Sequence, residues 1–248
     1  NMSVAQFQET KVRLLSKRSQ RVHWTEEKRR KEDDHLRSQY QDLLSSTNST
    51  PLAEKMIQLR KLVIDLGLPE ESDFEREHYA TKCSLRGVVW KILLGALKLD
   101  ADQYCQLVEL GPCSDDKKIR DDTFRTYKNN ATFWSRVDES KLSRVLTVCS
   151  RTYSQHSSPA AASRAIYVQG MNVLVAPFLF LMPEVDAYTA FMALISRHCP
   201  RYVVSNLDGV HHGCSLVDRT LEILDPVLHR HIIDKKLSFY VIDAYEVA

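Results

Sequence analysis

The longest uncharged stretch of the chain runs from Ala165 to Pro183, AIYVQGMNVLVAPFLFLMP, and ends at Glu184. Gln169, Asn172 and Pro177 interrupt it, whereas a bilayer span needs about 20 predominantly apolar residues. The run therefore predicts a buried helix of a soluble protein from Met171 to Met182, bent or interrupted at Pro177. A helix apolar on every side has to be wrapped by other elements. Only 7 glycines and 8 prolines, with 44% apolar residues, supply helices and a real core rather than many short strands. The fold class expected is all-α.

Along the chain, residues 3 to about 45 carry both charge signs, with Lys28-Arg29-Arg30-Lys31 abutting Glu32-Asp33-Asp34. This pattern suits i,i+4 pairing on an exposed helix. Residues 1–50 are expected to be a charged helical or disordered extension; the alternative is a partner-binding helix using Leu36, Tyr40, Leu43 and Leu44, which make a thin apolar stripe. Ser45 to Pro51 reads as a linker. A packed domain, 51–248, begins where Met56, Leu59, Leu62, Val63 and Leu66 recur at helical spacing and Gly67-Leu68-Pro69 supplies a stop.

Within that domain, Ser84 is the expected N-cap of an apolar helix, Leu85–Leu94, in which Trp90 is a core anchor. Further helices are expected over Ala101–Leu110, Glu139–Tyr153 and from Pro183 to about Ser196. Ser157 to Ser163 reads as a small-residue loop and Asn206-Leu207-Asp208-Gly209 as a turn. Val217, Leu221, Leu224 and Leu228 mark one more helical stripe.

Composition closes several routes to function. A formal charge of +2 singles out neither nucleic acid nor an anionic membrane as partner. The six cysteines form no C-x-x-C pair and no secretory h-region lies near Asn1, which fits reduced thiols in the cytosol or nucleus. His198, Cys199, His211, His212 and Cys214 are the residue types of a zinc site without its spacing, so no metal is expected. Phosphate-binding glycine loops and the G-x-S-x-G elbow are missing from the sequence. Any chemistry is expected to be lent to a partner.

Two short motifs carry that chemistry. Ile119, Asp122 and Arg125 are spaced I-x-x-D-x-x-R and followed by Thr126; Tyr167, Gln169 and Gly170 then form Y-x-Q-G, followed by Met171. Singly, Arg125 reads as an i,i+3 ion pair on a helix surface and Gln169 as an amide satisfying a helix start. In this order they fit phosphoryl transfer to water, which needs a cation where charge builds on the phosphates and a group that orients the attacking water. A permanently charged, forked guanidinium suits the first task. An amide that both donates and accepts suits the second.

Taken together the motifs resemble the TBC domain of GTPase-activating proteins, and Arg86-Gly87-Val88-Val89-Trp90 resembles the family's R-G-x-x-W signature. The resemblance implies a multi-helix all-α domain that acts on a small GTPase of the Ras/Rab superfamily. Arg125 is then the arginine finger and Gln169 the glutamine finger, with Ile119, Asp122, Tyr167, Gly170, Arg86 and Trp90 as supports. It implies no cofactor of the chain's own, because GTP and Mg2+ belong to the partner GTPase.

Gln58 to Leu62, Gly67 to Pro69, Val108 to Pro112 and YVQGMNVLVAP from Tyr167 narrow the resemblance to the mitotic-exit and septation checkpoint branch. Members of that branch act with a second regulatory subunit on a Ras-like GTPase at the spindle pole. A cytoplasmic protein with no nucleic-acid partner and no transmembrane segment is implied. A TBC domain normally continues through more helices than the chain holds after Ile233, so a C-terminally incomplete domain is expected, with the apolar Leu237 to Ile242 left uncovered. The alternative this raises is a catalytically weak or inactive GTPase-binding module.

Overall fold

The computed structural model describes residues 25–45, 51–156, 167–204 and 206–235, and within them it is helical with no strand. The chain divides into two compact units, one up to Glu77 and one from His78. Residues 3–24, most of the linker expected at 45–51, the loop at 157–163 and the apolar segment Leu237 to Ile242 lie outside the described residues. No helix among the described residues is long and apolar enough to cross a membrane.

In the first unit, α1 (Glu26–Ser45) packs against α2 (Leu52–Leu66), and α3 (Asp73–His78) follows. Leu36 and Tyr40, one helical turn apart, are buried together with Leu59 of α2. This differs from the solvated extension that the charge pattern predicts: two apolar side chains at i and i+4 are enough to bury one edge of a helix. Tyr40 Oη donates to the Gly67 carbonyl at 2.7 Å, on the residue whose positive φ ends α2. Arg37 pairs with Glu75 at 2.7 Å and donates to the Glu70 carbonyl at 2.6 Å. Ser72 and Glu75 form a reciprocal capping box at the start of α3, the Ser72 N–H to Glu75 carboxylate bond being 2.8 Å. The unit boundary falls after Glu77.

The second unit is built around two helices rather than one. Helix α4 spans Leu85–Leu94, α5 Ala101–Glu109, α6 Asp116–Arg125, α7 Ala131–Trp134, α8 Glu139–His156, α9 Met171–Leu181 and α10 Glu184–Ala193. Helix α8 touches α5, α6, α9 and α10, and its Leu142, Val145, Leu146, Val148 and Cys149 are wholly buried. Helix α9 touches α4, α6, α8 and α10. It runs through Pro177 without a break. The carbonyl that loses its partner to that proline belongs to Val173, a residue exposed to water, which can take the bond.

After α10 a π turn (Leu194–His198) and a 3-10 turn (Pro200–Val203) lead to α11 (Asp208–Leu224) and α12 (Pro226–Asp234). The expected turn at Asn206 to Gly209 is shifted, since Asp208 and Gly209 already belong to α11. The stripe from Val217 to Leu228 is likewise split over two helices. Asp225 caps the second through its side chain and Pro226 occupies its first position, a combination that starts a new helix.

Glycine 87 shows how tightly α4 meets the end of α9. Its N–H donates to Ser84 Oγ at 3.1 Å, the cap expected there. A Cβ at position 87 would stand 2.7 Å from Cys83 Sγ and 3.1 Å from the Leu181 carbonyl oxygen. Helix propensity alone favours alanine over glycine by about 1 kcal/mol, whereas overpacking a filled core costs about 1–3 kcal/mol. Packing wins, so Gly87→Ala is expected to lower stability in chemical unfolding. Adding Cys83→Ala should recover part of the loss; an unchanged unfolding midpoint for Gly87→Ala alone would mean that the two helices separate freely.

Candidate functional site

Helix α6 carries the first motif. Ile119 is wholly buried in the core and anchors the helix, and Asp122, one turn on, faces the same interior. Arg125 is the last helical residue. The chain leaves the helix at Thr126, whose backbone is extended, and Tyr127 takes a left-handed φ of 46°. A cation in the last turn also suits the negative end of the helix dipole.

The second motif lies on the turn that opens α9. Tyr167 and Val168 are buried, Gln169 is exposed, and Gly170 is the N-cap with φ 98°. No heavy atom would crowd a Cβ at Gly170, so glycine is required there by backbone conformation rather than space.

A buried polar cluster joins the two motifs. Asp122, with a side chain 6% exposed, accepts from Arg125 Nη2 at 2.6 Å and from Tyr167 Oη at 2.9 Å. Burial, reinforced by the Asp122 charge, pushes the Tyr167 phenol far above its usual range, so it stays protonated and donates. The Tyr167 N–H donates to Asp115 Oδ2 at 3.0 Å, just ahead of α6. The Tyr167 segment is thus held near both ends of the arginine helix.

Asn172, which the sequence marks only as a break in an apolar run, completes the cluster. Its amide nitrogen donates to Thr126 Oγ1 at 2.7 Å and to the Asp122 carbonyl at 3.3 Å. Its amide oxygen accepts from the Gly170 N–H at 3.2 Å and lies 3.3 Å from Tyr167 Oη. Thr126 Oγ1 in turn donates to the Asp122 carbonyl at 2.9 Å. The signal that could have found Asn172 is general: a lone amide inside a buried apolar helix must find partners.

What the cluster leaves outside is as informative. Arg125 is 64% exposed, held to the buried carboxylate at one end of its fork. The rest of the fork is open to water, so the guanidinium has both a fixed base and free donors to offer. Phe124, Tyr127, Val173 and Leu174 are exposed beside the two motifs, with the Lys128 ammonium 4.7 Å from the Phe124 ring centroid.

Gly87 and Trp90 act elsewhere, at the far end of α9, where the Trp90 ring meets Phe178 edge-on with centroids 5.2 Å apart. Arg86 is half-buried on α4, and among the described contacts neither it nor Trp90 touches the polar cluster. Among the described residues no group of three or more His, Cys, Asp or Glu side chains gathers as a metal site would.

An exposed arginine and an exposed glutamine, each at a helix end and joined beneath by Asp122, Tyr167 and Asn172, is an arrangement set in a helical domain with a matching family. Residues 83–245 match the Rab-GTPase-TBC domain, and the chain belongs to that family. It is 38% identical over 206 residues to the "Putative mitotic check point protein BUB2" of Dictyostelium discoideum, covering 81% of this chain and 54% of that protein. It is 40% identical to "Cell division control protein 16" of Schizosaccharomyces pombe, covering 62% of this chain and 49% of that one. With "Mitotic check point protein BUB2" of Saccharomyces cerevisiae it shares 34% identity over 75% of this chain and 61% of the relative. The chain spans about half the length of these curated relatives.

Proposed function

We propose that this chain is a GTPase-activating module for a small GTPase of the Ras/Rab superfamily, to which it supplies Arg125 and Gln169 in trans. The observation that carries this reading is the exposure of both side chains above a fully hydrogen-bonded base that ties their two helices together. Phosphoryl transfer needs positioning and charge more than covalent chemistry. The Arg125 fork is suited to charge on the β- and γ-phosphate oxygens, and the Gln169 amide to holding the attacking water. GTP and Mg2+ belong to the partner GTPase.

The names of the relatives point to mitotic checkpoint and cell-division control as the setting. In that setting the resemblance to the septation branch adds a second regulatory subunit and action at the spindle pole.

The test is single-turnover GTP hydrolysis by a panel of Rab and Ras GTPases, with and without saturating amounts of the chain. The expected result is stimulation of one or more members by about 10³-fold or greater, the range of a trans arginine. Binding to the GTP form without faster hydrolysis would place the chain instead among GTPase-binding modules.

A further inference from the structure

We propose that Asn172 is a positioning residue that fixes Arg125 and Gln169 relative to one another; this rests on the GTPase-activating reading above. The geometry points to it because the amide bonds on both sides of each exposed side chain. Asp122 and Thr126, which it contacts through its nitrogen, bracket Arg125 in the sequence. Tyr167 and Gly170, which meet its oxygen, bracket Gln169. One side chain, 7% exposed, therefore spans four points of the two motifs.

The amide is used to capacity. Both N–H groups donate and the oxygen accepts, so any rotation of α6 against the opening of α9 breaks at least one bond. Packing alone does not explain it: Met171, Val175 and Ala176 are buried on the same helix, and an apolar side chain at 172 would fill space without desolvating a polar group. A fully satisfied polar network buried among apolar neighbours specifies one arrangement of the elements it joins. Reacting groups displaced by about 1 Å lose on the order of 10²-fold in rate.

The experiment compares wild type with Asn172→Ala and Thr126→Val, the latter removing the hydroxyl on the α6 side of the link. In single-turnover hydrolysis titrated with each protein, Asn172→Ala is expected to lower the maximal rate by about 10- to 100-fold. The half-saturating concentration should stay within about threefold of wild type, because the exposed surface is untouched. Thr126→Val should give a smaller loss of the same kind, and it serves in place of Asn172→Ala if that variant does not fold. A wild-type maximal rate overturns the proposal. So does a loss that merely follows the unfolded fraction and disappears on cooling.

Hydrogen exchange in the GTPase-free protein gives a second readout independent of activity. The Gly170 amide should exchange about tenfold or more faster in Asn172→Ala, while the α8 amides of Val145 and Leu146 keep their protection. If wild type stimulates no GTPase, the activating reading fails, and Gly170 exchange in Thr126→Val, which leaves the Asn172–Gly170 bond in place, decides the coupling. Unchanged protection at Gly170 then overturns it.

Discussion

Arg125→Ala is expected to remove at least about 10³-fold of the stimulated hydrolysis rate while leaving the protein folded. The two halves of this expectation have separate causes. The guanidinium is mostly exposed and Asp122 keeps its bond from Tyr167 when the arginine is truncated, so the protein stays folded with at most a modest fall in melting temperature. The rate loss, by contrast, corresponds to about 4 kcal/mol of transition-state stabilisation, far more than any ground-state contact of this side chain. Arg125→Lys should restore little, because an ammonium lacks the fork that spans two phosphate oxygens. Single-turnover hydrolysis at saturating protein, with circular dichroism melts of the same samples, checks both halves. Wild-type stimulation by Arg125→Ala would remove the finger assignment outright.

Gln169→Ala is expected to reduce the maximal rate by about 10²-fold or more, again without unfolding, since the side chain is exposed and makes no hydrogen bond among the described residues. The decisive partner is a GTPase whose own water-positioning glutamine has been replaced. If Gln169 orients the water, wild-type protein still accelerates hydrolysis by that variant, and Gln169→Ala does not. Complete loss of stimulation with the GTPase variant would return the water to the GTPase. Gln169 would then be a turn residue only.

The parts of this arrangement that follow from local spacing are legible in the sequence. Ile119, Asp122 and Arg125 repeat at three-residue intervals, which puts an apolar anchor, a carboxylate and a cation along one side of a helix. The glycine ahead of α9 announces a turn, and Gly170 does hold a left-handed φ. The stop at Gly67 is of the same kind.

Features that depend on distant partners are not legible in this way. Nothing near Asn172 in the chain says that its amide reaches Thr126 and Asp122, which come from another helix. Leu36 and Tyr40 make too narrow a stripe to announce burial, because the surface that covers them includes α2, beyond the linker. The division between α11 and α12 is different in kind. Asp225-Pro226 is a local start signal, outweighed in the sequence by the longer apolar periodicity around it.

On the proposed function, the exposed neighbours of the two motifs would let partner choice and chemistry evolve separately. Phe124 precedes Arg125 and Val173 follows Asn172, yet all three apolar side chains Phe124, Val173 and Leu174 face water while the bonds that hold the motifs lie beneath them. Substitutions at these three positions can redraw the exposed surface around the motifs without entering the hydrogen-bonded base. A library randomised there should yield variants with new preferences among GTPases that share one ceiling on the hydrolysis rate.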